Sequence, residues 1–216
     1  MMRAILFDMD GVVIDSEPLY ERVQERGLAQ YGIQLSRSEY LHFKGLSEAT
    51  VFDILEQDYG IQWDRERVQR ESRVILLEEF RQNLQFMEGF PEIINIFSNG
   101  YVFGLVTSTG RDFLDEVDKI LPVKKYFQEI VAGGDTSDTK PHPDPYLEMM
   151  RRLEVEPHQS LVIEDSINGI RSGKMAGAAV IGLAATYHRE DLSEADICVQ
   201  SLKDITTAIV ERLFEG

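Results

Sequence analysis

Arg3-Ala4-Ile5-Leu6-Phe7-Asp8-Met9-Asp10-Gly11-Val12-Val13 is the stretch on which the reading of this chain turns. Residues 4–7 form an apolar run with no polar alternation, too short for a helix, which reads as a strand covered on both faces. The run stops at Asp8, and a second carboxylate, Asp10, follows two positions later. Two acids at i and i+2 leaving a strand suit divided labour: one acts as nucleophile and metal ligand, the other gives a proton to a departing oxygen.

Four more short apolar runs, 102–106, 130–132, 161–163 and 179–183, repeat the pattern of the first. Helical stretches at 112–121, 145–153 and 167–176 separate most of them, and this alternation predicts βα units on a parallel sheet with right-handed crossovers. From Asp15 to about Asn83 the strand signal vanishes. Helical periodicity replaces it, with Val51, Phe52, Leu55 and Tyr59 on one stripe and Val68, Ile75, Leu76 and Phe80 on another. Ser47 and Asp64 stand at N-cap positions, and Gly60 is placed to close the helix that Ser47 opens. The expected fold is α/β, a Rossmann-like parallel-sheet core with an inserted α-helical cap domain. The core takes 1–14 and 85–216, and the cap 15–84. Two chain crossings joining the units would serve as hinges for a lid.

Composition narrows the function. The 216 residues are 43% apolar and 28% charged, ordinary for a folded protein. Thirty-eight acidic against 22 basic side chains leave a formal charge of −16. That balance opposes the counterion release on which nucleic-acid binding depends, so no nucleic acid is expected as a partner. A small phosphorylated substrate is also an anion, and an acidic protein must meet it with local positive charge from a metal ion or a well-placed lysine. The only cysteine, Cys198, lies in a short apolar run and reads as an inert buried thiol. The N-terminal apolar stretch is too short for a signal peptide or membrane span, which points to no membrane and to the cytoplasm. A monomer is the default expectation.

In open α/β sheets ligands gather at the carboxyl ends of the strands. Here those ends carry Asp8-Met9-Asp10-Gly11, Thr107-Ser108-Thr109-Gly110, Lys140-Pro141 beyond the third run, and Glu164-Asp165. An anionic nucleophile is repelled by phosphate unless a divalent cation holds both, and Asp8, Asp10, Asp165 and Glu164 make an oxygen-rich set suited to Mg²⁺. Thr107 offers a hydroxyl, and the backbone N–H groups from Ser108 onward lie where a helix begins and can face phosphate oxygens. Lys140 adds a compact positive charge. Glu164 is placed either to bind the metal or to orient a ligand.

These residues resemble the haloacid dehalogenase-like phosphohydrolase superfamily. Its D-x-D-G motif matches Asp8-Met9-Asp10-Gly11, its strand ending in Ser or Thr matches Val106-Thr107-Ser108, its lysine motif matches Lys140-Pro141-His142-Pro143-Asp144-Pro145, and its acidic motif matches Glu164-Asp165-Ser166-Ile167-Asn168-Gly169. Four motifs in this order over nearly the whole chain are far more specific than any one of them. The resemblance implies Asp8 as nucleophile, Asp10 as general acid and base, Thr107 and Lys140 as phosphate ligands, Asp165 as a Mg²⁺ ligand, and a helical cap after the first motif. Gly11-Val12-Val13-Ile14-Asp15-Ser16-Glu17-Pro18 and Lys44-Gly45-Leu46-Ser47 are similar to the branch holding β-phosphoglucomutases and small sugar-phosphate phosphatases. Those mutases carry a cap histidine and a cap arginine where this chain has Tyr20 and Glu48. A glutamate repels the second phosphate that an arginine fork would hold, which favours hydrolysis over mutase chemistry.

The sequence therefore predicts a Mg²⁺-dependent phosphatase acting through an aspartyl-phosphate on Asp8, with a sugar phosphomutase as the alternative and an inactive binding or regulatory protein as a third reading. Other polar residues have simpler explanations. Asp144, between Pro143 and Pro145, is expected to cap a helix. Asp135 and Asp138 are expected in a solvated loop, and His42, His142, His158 and His188 show no metal-ligand spacing.

Overall fold

The computed structural model describes residues 2–36, 39, 43, 48–184 and 189–215. The expected cap at Ser47, the 44–47 segment, His42 and His188 lie outside the described residues, as does the side chain of Glu48. The chain divides into two compact units, Met1–Asp15 with Gln85–Gly216, and Ser16–Leu84.

The Ser16–Leu84 unit is helical throughout its described elements: α1 (Glu17–Ala29), α2 (Glu48–Tyr59) and α3 (Arg65–Asn83). Helix α3 begins where Asp64 accepts a hydrogen bond from the Arg67 N–H at 3.1 Å, as its N-cap position demands. Helix α2 ends at Gly60, which takes the left-handed conformation (φ 66°) while its N–H donates to Glu56 O. Tyr20 on α1 meets Phe80 on α3 edge to face at 5.8 Å, and Arg26 pairs with Glu79 at 2.8 Å beside that contact. A small core gathers Leu28, Ile33, Phe43 and Leu55, with Trp63 packed against it. Phe52, Leu55, Leu76 and Phe80 of the two expected stripes are buried, but Tyr59 is 41% exposed. Tyr59 is the last residue of α2, where the helix ends and no further turn carries the apolar face.

The Met1–Asp15 and Gln85–Gly216 unit holds six parallel strands: β1 (Arg3–Phe7), β2 (Tyr101–Gly110), β3 (Glu129–Gly133), β4 (Ser160–Glu164), β5 (Ala179–Leu183) and β6 (Ile197–Val199). They lie in the order β3-β2-β1-β4-β5-β6. Between them run α4 (Phe90–Phe97), α5 (Arg111–Ile120), α6 (Asp144–Leu153), α7 (Ile167–Met175) and, last, α8 (Thr207–Glu215). This is the α/β parallel-sheet class read from the alternating runs. The central strands are apolar on both faces because they are covered on both: Ala4 to Phe7 are each fully buried, as are Leu161, Val162 and Ile163. Burying each such side chain contributes about 1.5–3 kcal/mol.

The strand order reverses between β1 and β4, the kind of switch point at whose carboxyl ends open α/β sheets bind ligands. Asp8 follows one and Glu164 ends the other. No described helix is long and apolar enough to cross a membrane.

Candidate active site

The site begins with the way β1 ends. Asp8 continues the sheet by donating its N–H to Ile163 O of β4 at 3.0 Å, and the chain then folds back, with the N–H groups of Val13 and Ile14 both donating to Met9 O. Gly11 makes this turn possible for two reasons. Its φ of 78° is the left-handed region that a side chain resists, and a Cβ there would stand 2.3 Å from Asp165 Oδ2. The turn thus carries Asp8 and Asp10 while its backbone presses against Asp165.

Lys140 joins the strands. Its Nζ lies 2.6 Å from Asp8 Oδ1, 2.7 Å from Glu164 Oε1 and 2.9 Å from Val106 O, so three acceptors meet the three ammonium protons. Its side chain is only 6% exposed. The ammonium also sits 5.1 Å from the centre of the Tyr146 ring.

Glu164 is fully buried and its two oxygens are engaged separately. Oε1 accepts from Lys140 and from Tyr146 Oη at 3.1 Å, and Oε2 accepts from the Ser166 N–H at 3.0 Å and its Oγ at 2.9 Å. Ser166 in turn caps α7 through the Gly169 N–H. A Cβ on Gly169 would fall 1.7 Å from Glu164 Oε1, so glycine is what admits the carboxylate under the first turn of α7.

Asp8, Glu164 and Asp165 each offer a carboxylate oxygen, and the three oxygens lie within 4.8 Å of one another, close enough to share one metal ion. Three hard oxygen donors with a single ammonium nearby form a donor set that fits a small divalent cation. The electrostatics agree. Burial pushes the Asp8 carboxyl up to about 7, against the pull of Lys140, and the negative charges of Glu164 and Asp10 push it further in the same direction. Burial alone would depress Lys140, but Asp8 and Glu164 raise it well above the usual lysine value and keep it an ammonium. Tyr146 is likewise raised by burial and by Glu164, so its hydroxyl stays a donor.

Strand β2 runs further than its apolar run suggested. It continues through Thr107, Ser108 and Thr109 to Gly110, with its register against β3 shifting between Val106 and Gly110. Thr107 is buried and its Oγ1 accepts from the Thr109 N–H at 3.0 Å. Ser108 faces solvent, and Thr109 Oγ1 donates to Asp10 Oδ2 at 3.2 Å.

The structure therefore gathers Asp8, Lys140, Glu164 and Asp165 around one point, with Asp10 held from β2 by Thr109. Three neighbours of the cluster were not anticipated. Tyr146 falls on the buried stripe of α6, where an aromatic reads as core, and Ser166 reads as a helix cap. Thr109 sits in a polar run with nothing to set it apart. Asp135 stands apart from the cluster, paired with Arg111 at 2.5 Å and Arg152 at 3.3 Å. Asp144 is the first residue of α6 rather than its cap, because the helix starts one residue early with Pro143 at the cap position. It meets His142 Nδ1 at 3.1 Å instead. These two and Asp138 form a second group within metal-sharing distance. Cys198 is half-buried, its Sγ 3.2 Å from Leu192 O.

Comparison with known proteins places the chain among relatives. Residues 5–183 match the model of the family described as haloacid dehalogenase-like hydrolase. The chain is 31% identical over 182 residues to a phosphorylated carbohydrates phosphatase of Thermotoga maritima, covering 82% of each. It is 29% identical to hexitol phosphatase B of Escherichia coli, covering 94% of each. A solved β-phosphoglucomutase from Clostridium difficile superposes with a TM-score of 0.80 over 100% of this chain and 98% of that one, at 22% identity, a likeness of fold. With its four motifs meeting at the switch point of such a sheet, the chain belongs to the haloacid dehalogenase-like hydrolase family.

Proposed function

We propose that this protein is a Mg²⁺-dependent phosphatase that hydrolyses a small phosphorylated metabolite, a sugar or sugar-alcohol phosphate, through an aspartyl-phosphate on Asp8. The observation that carries the reading is the contact of Lys140 with both Asp8 and Glu164, residues from three separate segments that share no structural need to meet. The names of two relatives, a phosphorylated carbohydrates phosphatase and a hexitol phosphatase, support the substrate class.

In this mechanism an Asp8 carboxylate oxygen attacks phosphorus while Asp10 protonates the departing alkoxide, so the alcohol leaves and Asp8 carries the phosphoryl group. Asp10, now a carboxylate, takes a proton from water as its oxygen attacks the same phosphorus. The bond to Asp8 breaks, inorganic phosphate departs, and both acids regain their starting states. Lys140 balances the charge of the phosphoryl oxygens, and Thr107 Oγ, whose lone pair already accepts from Thr109 N–H, has its own proton to donate to one of them. Mg²⁺, held by Asp8 and Asp165 with Asp10 and Glu164 beside them, would neutralise the repulsion between the attacking carboxylate and phosphate. The helical insert, 15–84 in this reading, is left to choose the leaving group, and the core of 1–14 and 85–216 carries the chemistry.

The mutase alternative is disfavoured at Tyr20, which packs its ring against Phe80 where mutases carry a histidine. The test is a panel of phosphate monoesters with and without Mg²⁺, run beside Asp8→Asn. Phosphate release that needs the metal and disappears in the variant is the expected result. Release that survives either removal refutes the mechanism, and interconversion of sugar phosphates without phosphate release selects the mutase.

A further inference from the structure

We infer that Thr109 is a positioning residue for the leaving-group step, its hydroxyl holding one oxygen of Asp10 and so restricting the orientation of the carboxyl that passes the proton. The inference rests on the reading of Asp10 as the proton donor and adds to it a residue that none of the four motifs assigns.

Three observations lead to it. Asp10 lies beyond the end of β1, in a turn, and carries a carboxylate whose last torsion has a broad, shallow preference. Misorientation of a reacting group costs rate steeply, so each contact that narrows this torsion bears on turnover. Thr109 Oγ1 reaches Asp10 Oδ2 at 3.2 Å from the neighbouring strand, 99 positions away in sequence. Finally, the reach has a structural cause. Side chains of β2 keep alternating through the register shift between Val106 and Gly110, which places Thr107 and Thr109 on one face. Thr107 is buried, Ser108 faces solvent, and Thr109 is half-buried with its N–H tied back to Thr107 Oγ1. That alternation puts the hydroxyls of Thr107 and Thr109 on one face, and the second reaches Asp10.

A hydroxyl suits this task better than a charged partner. It donates to a carboxylate and accepts from a carboxylic acid, so it holds Asp10 before and after the proton moves. A lysine or arginine in its place would tie Asp10 to the ionised state.

The decisive comparison uses leaving groups that need protonation to different degrees. Wild type, Thr109→Val, Thr109→Ser and Asp10→Asn would be assayed with Mg²⁺ on 4-nitrophenyl phosphate, phenyl phosphate and glucose 6-phosphate, with kcat and KM resolved and folding checked by thermal unfolding. For Thr109→Val we expect kcat/KM on phenyl phosphate, which reports the step that expels the alcohol, to fall about 10- to 100-fold, below the full contribution of a general acid. The kcat/KM on 4-nitrophenyl phosphate should be nearly unaffected, since a good leaving group departs without a proton and the later water step, in which Asp10 also acts, does not enter kcat/KM. Thr109→Ser restores most of the loss. A Thr109→Val enzyme equal to wild type on phenyl phosphate overturns the inference, as does an equal loss on both aryl esters that serine fails to restore. If Asp10→Asn shows the leaving-group dependence and Thr109→Val does not, only the role of Thr109 falls. If Asp10→Asn shows none, or wild type releases phosphate from no member of the series, the underlying reading falls and this inference with it.

Discussion

Lys140 Nζ lies 2.6 Å from Asp8 Oδ1, although 132 positions separate the two residues in the chain. A surface lysine would gain little from such a contact, but this one is 6% exposed and its partners Asp8 and Glu164 are 13% and 0% exposed. The pair is thus a buried charge arrangement in which each member depends on the others for the compensation that water would otherwise provide.

Removing the ammonium should therefore cost stability as well as activity. Lys140→Met leaves two buried carboxylates facing each other, and breaking a buried pair in this way typically costs about 3–5 kcal/mol. Urea unfolding should show that loss in the metal-free protein, and phosphatase activity should fall below detection. A Lys140→Met protein as stable as wild type would show that a proton taken up by one of the two carboxyls replaces the ammonium.

Asp8 should make the metal-free protein sensitive to pH. Its carboxyl is raised in the folded state from 3.8 to about 7, so the folded form holds the proton more tightly than the unfolded chain does. The stability this confers is fully present below about pH 4 and is lost as pH rises through about 7. Asp8→Asn removes the dependence. At pH 8 without metal the variant should unfold at a higher temperature than wild type, by the equivalent of a few kcal/mol at most. Mg²⁺ should then raise the unfolding temperature of wild type by mass action and that of the variant much less. Equal metal stabilisation of both proteins would remove Asp8 from the ligand set.

The extent to which this site can be read from sequence follows from the kind of signal each residue sends. Asp8 and Asp165 directly follow buried strands, and a polar residue there is conspicuous against its neighbours, whereas Lys140, set in the polar loop well beyond β3, is marked by its motif with Pro141 instead. Strand β6 was not anticipated, because three residues, Ile197, Cys198 and Val199, are too few to show a period. Tyr146 is hidden for the opposite reason: its ring obeys the apolar stripe of α6 while its hydroxyl, fully buried, serves Glu164. Thr109 lies beyond the apolar run that marks β2, and its reach to Asp10 across 99 positions leaves no trace in composition or spacing. The start of α6 at Asp144 rather than Pro145 is an end effect of one residue, the scale on which helix termini fray.

Glycine marks the tightest part of the cluster. Alanine at Gly169 would drive its Cβ to 1.7 Å from Glu164 Oε1, so either α7 or the Glu164 carboxylate must move. Gly169→Ala should lose about 1–3 kcal/mol of stability, the usual range for overpacking, together with most of the activity. Gly27, inside α1, offers the contrast, with nothing within 4 Å of an added Cβ. Gly27→Ala should gain about 0.5–1 kcal/mol from helix propensity and leave turnover unchanged. Thermal unfolding and steady-state assays on the pair separate a crowded site from an ordinary helical position.

Tyr146→Phe isolates one hydrogen bond. The ring stays, so the packing of α6 and its face toward the Lys140 ammonium are preserved, and only the donor to Glu164 Oε1 is lost. Glu164 keeps Lys140 on that oxygen and both groups of Ser166 on the other. The cost should be that of one bond to a charged acceptor, about 1.5–3 kcal/mol in unfolding free energy. The effect on turnover depends on whether Glu164 holds Lys140 in place or binds Mg²⁺ itself. If it holds the lysine, loosening it should reduce kcat several-fold and leave the Mg²⁺ concentration for half-maximal activity unchanged. If it is a metal ligand, that concentration should shift in Tyr146→Phe, because a carboxylate freed of one donor is a changed ligand. A magnesium titration of the two proteins distinguishes the roles. The four donors already engaging both oxygens favour the first outcome.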